Sequence, residues 1–533
     1  MKKQNQNFDV IISGFGPVGS IMAILLAKEG HKVAIFERWE ERYSLPRAVC
    51  IDHEMIRMLR TLGLGEKLNN VTHAGGSYNW LNADWKPLVE IDWGAPTISQ
   101  ESNVNFVHQP SLEKILEEKV RTFSNIELFL GYEVIKAGNE VDQAYLCAKN
   151  LENDQIEKFY AKYLIGADGA NSLIRKAITP KWVDKGFEAD WLVIDIFPHP
   201  NAEMKIVGRD AIQLCDPKRP TTVVPGGQNN GQFFRRWEFM RLPHETKEEM
   251  QTEAKAWELL SGWIKPEQAT LIRSALYTFR SLIAEEWRNN RILIAGDAGH
   301  VMPPFMGQGM CAGFRDAWNL SWKLNGVLKG QFTDDILDTY MVERKPHVSD
   351  VIDLSMYLGR VICVPDEIES KKRDESFFNG TAEQMDDFPV LTDGLISKKS
   401  QFNTLAGHIA PHGIFNVNGE NKRLDSIANQ KFVLLTSKPV ALNENQKKLL
   451  VALDCEWVPL AQEDVQTEQV YQELDQNIAK FMHEHQVEVI LVRPDFYIYA
   501  TATQAECATD LLENLTNDLA AYALKTAIKD IAS

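Results

Sequence analysis

Residues 8–37 read FDVIISGFGPVGSIMAILLAKEGHKVAIFE, and the reading of this stretch decides the fold. Phe8–Ser13 is a short apolar run of the kind buried inside a parallel sheet. Gly14, Gly16 and Gly19 follow, then an apolar helical pattern to Lys28, which Gly30 ends. Lys32–Phe36 reads as a second strand finishing at Glu37. Strand, turn, helix and strand in this order make a βαβ unit with parallel strands. The glycines differ in purpose. Gly14 permits a tight turn, Gly16 close backbone approach to a pyrophosphate, and Gly19 close packing of helix on strand. The helix start aims free amides at the phosphates. Glu37, 18 residues after Gly19, is placed to accept hydrogen bonds from ribose hydroxyls. The pattern points to a dinucleotide and does not by itself separate FAD from NAD.

Working outward, Asp52–Leu62 and Ser111–Thr122 have helical patterns, and Tyr163–Gly166 is a strand running into a turn at Asp168-Gly169. From Lys181 to Phe279 the chain is rich in Trp, Phe, Thr and Val with frequent Pro and Gly, which predicts a separate β-rich layer. Arg291–Ala295 is a further buried strand, and Met310–Leu328 has the period of a long helix. Glu367–Ser400 carries charge clusters and little apolar period, and is expected to be a connector, partly helical or mobile. Strand and helix signals resume from Phe402: Lys431–Leu435, Glu488–Val492, Phe496–Ala500 and a helix from Ala505 to about Leu524. No internal repeat is visible.

Composition bounds the function. With 57 basic and 74 acidic residues the net charge is −17, which argues against a nucleic-acid binder. A 25% charged and 44% hydrophobic chain is ordinary for a globular protein. The seven cysteines are scattered without a CxxC pair, so neither a disulfide framework nor a zinc cluster is expected. The polar start Met1–Asn7 leads straight into a strand rather than a signal peptide, and no apolar run approaches the roughly 20 residues of a membrane span. A cytoplasmic protein without a metal is the expectation.

Two later segments separate FAD from NAD. Residues 163–175 read YLIGADGANSLIR, and residues 291–310 read RILIAGDAGHVMPPFMGQGM. With the first loop, these resemble the three fingerprints of the single-component FAD-dependent aromatic hydroxylases, in the subgroup typified by 3-(3-hydroxyphenyl)propionate hydroxylase. The likeness extends to Leu45-Pro-Arg47-Ala48, Gly186–Val193, Arg235-Arg-Trp237-Glu-Phe, Tyr340–Pro346, Gly407–Pro411 and Leu491–Ala500. It implies an α/β protein with a Rossmann-like FAD-binding domain, an inserted β-rich substrate domain and a C-terminal thioredoxin-like α/β domain. The boundaries expected are 1–180 and 275–365 for FAD, 75–108 and 181–274 for substrate, 366–402 for the connector, and 403–533 for the tail. The tail holds only Cys455 and Cys507, so a working dithiol is not expected there.

The resemblance also implies site residues. Asp297 would hold the ribityl hydroxyls, and Arg47 and Gln109 would lie near the diphosphate or ribityl chain. Arg38 would lie against the adenine, and Asp168 near both FAD and the nicotinamide donor. Pro303 and Pro304 would stiffen the loop over the flavin, with the Pro303 backbone near the reacting centre. Gly307 and Gly309 would let backbone approach the ring, where the amides of Met310 and Cys311 could stabilise negative charge. The base that ionises the substrate is left open among His53, Tyr277 and His300, and Arg235 or Arg236 could pair with a substrate carboxylate.

The reaction implied uses NADH or NADPH to reduce FAD, then O2 to form a flavin C4a-hydroperoxide that hydroxylates a phenolic or related aromatic acid. Two alternatives stand beside it. One is the same fold working as an epoxidase, a dehalogenating enzyme or a hydroxylase of polycyclic or heteroaromatic rings; the other is a flavin redox sensor. A small aromatic substrate and a homodimer are the partners expected.

Overall fold

The computed structural model describes residues 7–42, 45, 47–205, 208–402, 404–460 and 471–523. Of the positions used above, Met1–Gln6, Pro46, Asn403 and the stretch 524–533 lie outside the described residues. Two compact units emerge: Met1–Pro96, Ser102–Phe314 and Ser349–Phe388 form one, and Thr97–Glu101, Arg315–Val348 and Pro389–Ser533 the other.

Beside a small three-stranded sheet of Cys50–Asp52, Val104–Val107 and Thr72–Ala74, the first unit is built on two large sheets. In one, Ile126–Leu130, Val33–Glu37, Asn7–Ser13, Ile156–Gly166 and Ile292–Ile294 lie side by side and parallel. The strand Asn7–Ser13 is at its centre, with Val10, Ile11 and Ile12 fully buried, as expected for an apolar run covered on both faces. The helix Pro17–Lys28 starts with Pro17 in the first turn, where the missing N–H costs nothing.

The second sheet of this unit runs His300–Val301, Ala269–Ala284, Trp182–Pro198, Gln232–Met240, Thr221–Asn229, Ala211–Cys215, Ser77–Asn82 and Pro87–Asp92. It is antiparallel except where Ala211–Cys215 meets Ser77–Asn82. One face buries Leu192, Ile194, Ile196, Trp237 and Phe239 against Met250, Ala256 and Leu260. Those three sit on the short helices Lys247–Met250 and Glu253–Leu260, which the β-rich reading did not foresee; Thr246 and Thr252 cap them.

Residues 366–402 are partly helical, one of the two alternatives expected. Glu367–Phe378 is a helix capped by Asp366, and its Arg373 donates to the carbonyls of Val361 and Cys215. The charge run is the solvent face of this helix, with Arg373 turned inward.

The second unit contains a four-stranded sheet in the order Cys455–Pro459, Phe432–Thr436, Val489–Val492 and Ile498–Ala502. The first pair is parallel and the next two antiparallel, with the helix Glu444–Ala452 as the crossover. This is the thioredoxin-like order. Cys455 is on a strand and Cys507 in a 3-10 turn, and all seven cysteines are free thiols. The last helix among the described residues is Ala508–Ala520, and the turn at Ala505–Cys507 precedes it.

This unit also encloses a charge network. Glu343 accepts from Arg493 at 2.6 Å, Lys323 at 2.8 Å, Asn319 at 2.6 Å and the Leu395 amide at 2.8 Å. Arg493 also grips Asp495 at 2.6 and 2.9 Å. Two cations meet two anions in a dry site. Burial would raise the Glu343 carboxyl, but Arg493 and Lys323 hold it well below the usual range. Glu343→Ala leaves two cations facing one anion, so a loss of about 3–5 kcal/mol is expected, read as a lower denaturation midpoint. An unchanged midpoint would show the network to be dispensable.

No helix among the described residues is long and apolar enough to cross a membrane.

Candidate active site

The three glycines of the first loop do three different things. Gly14 has φ +106°, and a Cβ there would sit 2.3 Å from the carbonyl oxygen of Ala167. Gly19 is pressed against the loop itself, since its Cβ would meet the Gly14 oxygen at 2.1 Å. Gly16 is the opposite case: it caps the helix, and a Cβ there would have nothing within 4 Å. Two glycines therefore serve packing, and the third opens a cradle at a helix N-terminus. Glu37 closes the cradle by accepting from the amides of Phe15 at 3.0 Å and Trp39 at 3.1 Å.

A cavity of about 1080 Å³ begins at this cradle. That lies just above the roughly 300–1,000 Å³ typical of ligand pockets, a size suited to a large ligand such as a dinucleotide. Gly14, Gly16, Glu37, Arg38, Arg47, Gln109, Asp168, Tyr277, Asp297, Pro304, Gly307, Gly309 and Met310 all line it, as does Arg236. Residues more than 290 positions apart in sequence thus meet around one space. Gln109 is buried and fixes its neighbours. Its oxygen accepts from the amides of Arg47 and Ala48 at 3.2 and 2.6 Å, and its amide donates to Glu113 at 2.6 Å.

Asp297 follows the strand Ile292–Ile294 on a 3-10 turn whose Gly296 has φ +63°. Cβ atoms at Gly296 and Gly313 would meet Val18 Cγ2 at 3.0 and 2.6 Å, so the turn packs tightly on the first helix. Asp168 is bound more firmly than a turn residue would be. It accepts from Ser172 at 2.5 Å and from the amides of Leu173 and Ile174 at 2.8 and 3.2 Å, and so anchors the helix Leu173–Ile178. Burial raises its carboxyl, partly offset by the Ser172 hydroxyl.

The loop Pro303–Met310 turns through Gly307 at φ +65°, where a Cβ would lie 2.2 Å from Cys50 Sγ. The helix Gly309–Leu328 then begins, with its first-turn amides at Gly309, Met310 and Cys311. The Cys311 side chain is buried and its thiol lies 3.8 Å from the Gly307 oxygen, leaving only its backbone amide for a ligand.

Six expected residues do not line the cavity. Gly19 and Cys311 are accounted for by packing. Pro303 is turned away, its carbonyl accepting from Ser355 at 3.1 Å. His53 occupies the first position of the helix His53–Thr61, whose cap is Asp52. His300 is buried beside Trp287, with ring centroids 5.5 Å apart. Arg235 donates to the carbonyls of Gly208 and Asp210 on the helix-covered face of the sheet. Strand alternation separates it from Arg236, since neighbouring side chains point to opposite faces.

Arg236 shows what the sequence reading missed. Its fork is closed on Asp195, Nε to Oδ1 at 2.7 Å and NH2 to Oδ2 at 2.9 Å, and NH1 donates to the Arg47 carbonyl at 2.6 Å. Glu238, two residues on, lines the cavity beside it, and Arg273 lies 3.9 Å from Asp195. Around them stands an aromatic wall. Tyr78 stacks on Trp93 at 4.1 Å between centroids, Phe106 lies 5.9 Å from Trp93, and Phe279 and Phe305 complete it. The signal for Glu238 was present in the motif Arg235-Arg-Trp237-Glu-Phe, where every second residue shares a face.

Residues 7–355 match the model of the FAD binding domain family, which is more than half of the chain, and residues 408–518 match that of the HcaD C-terminal domain. A protein of Rhodococcus jostii (strain RHA1), described as a probable NADH-specific resorcinol 4-hydroxylase, is 32% identical over 515 residues, covering 95% of this chain and 94% of that one. The chain belongs to the FAD-dependent aromatic hydroxylases. A 3-(3-hydroxy-phenyl)propionate/3-hydroxycinnamic acid hydroxylase of Shigella sonnei (strain Ss046) is also 32% identical, over 69% of this chain and 65% of that protein. Among solved structures, a complex of aklavinone-11 hydroxylase with FAD and aklavinone aligns with a TM-score of 0.77 at 20% identity, covering 97% of this chain and all of that one, which speaks to the fold. As a member of the family, the hydroxylase takes FAD as cofactor and NAD(P)H and O2 as co-substrates.

The residues present fit FAD. The open cradle at Gly16, the carboxylates of Glu37 and Asp297, and the first-turn amides at Gly309 and Met310 would meet phosphates, hydroxyls and ring in turn. Asp297→Ala is expected to weaken FAD binding by about 10–100-fold, the worth of a charge-assisted hydrogen bond. Arg38→Ala should change it little, because Arg38 is exposed and rests on Trp39 at 5.0 Å. Equal dissociation constants for the two variants would contradict this ranking.

Proposed function

We propose that the protein hydroxylates a small phenolic ring, using NADH and O2, and that the whole of the large cavity serves this reaction. The observation that carries the reading is that one space joins the dinucleotide cradle at Gly16 to the aromatic wall of Tyr78, Trp93, Phe106, Phe279 and Phe305. NADH is favoured over NADPH by the description of the Rhodococcus relative. Held by the Gly16 cradle, Glu37, Asp297 and the first-turn amides at Gly309 and Met310, FAD would supply the redox chemistry that links NADH and O2 to oxygenation of the ring.

The chain's own residues do the rest. The parallel sheet and its loops are assigned to FAD, the antiparallel sheet to the substrate, and the C-terminal region to a structural role. The aromatic wall would hold the substrate ring by offset and edge contacts and keep water from the reacting edge. Tyr277, whose ring carries the Arg273 guanidinium at 4.8 Å, would present its hydroxyl at the border between the cofactor and substrate regions. The first-turn amides at Gly309 and Met310 would stabilise negative charge on the reduced ring. Seven free thiols accord with a cytoplasmic site of action.

The test is a screen of phenols for stimulated NADH oxidation by the FAD-loaded protein, with product mass measured. One compound that both accelerates oxidation and gains an oxygen atom supports the reading. Oxidation that no aromatic compound accelerates would overturn it.

A further inference from the structure

On the cavity face of the antiparallel sheet, the carboxylates Asp195 and Glu238 differ in what they accept. Asp195 is taken by Arg236 and lies near Arg273, but no hydrogen bond is made to the Glu238 carboxylate from within the described protein. Its nearest cation is Arg236, with NH1 3.7 Å from Oε1, and that guanidinium already donates to Asp195 and the Arg47 carbonyl. Glu238 is only 7% exposed, and the little that is exposed opens into the cavity. A carboxylate removed from water without donors is costly, unless a ligand brings the donor.

We propose that Glu238 is the residue that receives the substrate's hydroxyl, taking its proton, and that it restricts the substrate to uncharged phenols. This rests on the hydroxylase reading above and adds the substrate class to it. The phenol O–H bond breaks as a Glu238 O–H bond forms, and the electron pair left on the phenolate oxygen enriches the ring carbon that is oxygenated. The proton returns to the product hydroxyl when product leaves, so the enzyme is restored. The charges on this face set the specificity. Arg236 and Arg273 are matched in number by Asp195 and Glu238, so a substrate carboxylate would bring a third anion to a face whose charges already balance.

The surroundings suit a base. Burial pushes the Glu238 carboxyl above its ordinary range, with Arg236 partly offsetting this and Asp195 reinforcing it. The other groups whose charge reaches it are Arg273 on the neighbouring strand, Tyr78 and Cys50. Burial pushes the Cys50 thiol up to about 12 and raises Tyr78 further, so both stay neutral across the working range. Activity limited by Glu238 should therefore rise through a single acidic limb, placed above the pH at which an ordinary glutamate ionises.

The experiment compares resorcinol with 3-(3-hydroxyphenyl)propionate on the FAD-loaded wild type, Glu238→Gln and Glu238→Asp. The wild type is expected to favour resorcinol by at least about tenfold in kcat/KM. Glu238→Gln should hold FAD as the wild type does yet lose about 10²-fold in kcat/KM for resorcinol, mostly in kcat, and lose the acidic limb. Glu238→Asp should recover part of the rate and the limb. Three results would overturn the proposal: a wild-type preference for the propionate, a Glu238→Gln enzyme within about threefold of wild type, or an unchanged acidic limb. If Glu238→Gln does not fold, the wild-type ranking decides. If neither these nor any other phenol stimulates NADH oxidation, the hydroxylase reading itself fails and this assignment with it.

Discussion

Gly16→Ala is expected to leave the folded protein as stable as the wild type while raising the FAD dissociation constant by about 100-fold or more. At Gly16 the backbone is extended, at φ −73° and ψ −175°, which alanine adopts without strain. A Cβ there meets no protein atom within 4 Å, so the chain itself does not object. The methyl instead projects into the cradle at the helix start, where the pyrophosphate must approach the backbone. Gly14→Ala and Gly19→Ala should behave differently. Their Cβ atoms would lie 2.3 and 2.1 Å from carbonyl oxygens, so the loop has to move and stability falls along with FAD binding. Melting of the apo-proteins and FAD titration separate the two classes. An unaltered FAD affinity in Gly16→Ala would mean that the pyrophosphate does not sit at this loop.

The second large effect concerns coupling. With a good substrate, electrons from NADH should appear in hydroxylated product; in Gly309→Val, most should appear instead as hydrogen peroxide. A Cβ at Gly309 has only Met302 Cγ near it, at 3.9 Å, so the variant is expected to fold. Gly309 lines the cavity, and the added methyl groups would occupy the space in which backbone approaches the flavin. A displaced ring admits water, and the oxygen atom is lost before transfer. The measurement is product and peroxide formed per NADH consumed, at saturating substrate. A variant that folds, holds FAD and keeps wild-type coupling would show that this loop does not face the reactive ring.

Much of the framework was legible in the chain because its signals are local. The apolar run Phe8–Ser13, the spaced glycines and Glu37 announced a parallel βαβ unit, and those strands are adjacent in register, with Val10 opposite Val33 and Ser13 opposite Phe36. The helix from Met310 was equally plain. Less legible were elements whose cause is tertiary. Glu367–Phe378 looks like a solvated charge run until Arg373 is seen to turn inward. The Glu343–Arg493 contact joins residues 150 positions apart and has no local signature.

The site divides in the same way. Its cofactor side is made of loops whose glycines, prolines and strand-end carboxylates can be recognised in the chain. Its substrate side is made of side chains on one sheet face, and which face opens to the cavity depends on how the strands pair. Alternation in Arg235-Arg-Trp237-Glu-Phe shows that Arg236 and Glu238 share a face. Only the pairing of Arg236 with Asp195 shows that Arg236 is committed and Glu238 is not. His53 and His300 were drawn in by closeness in sequence to the fingerprints, which is not closeness to the cavity.

The central claim is that this cavity transfers oxygen from O2 to a phenolic ring. The most direct test is turnover of the FAD-loaded protein with NADH and resorcinol under isotopically heavy oxygen gas in ordinary water, followed by mass analysis of the product. The account predicts a product carrying one heavy oxygen atom, formed in step with NADH consumption. NADH consumed with resorcinol unchanged and all the oxygen recovered as hydrogen peroxide, or a product whose new oxygen comes from water, would contradict it.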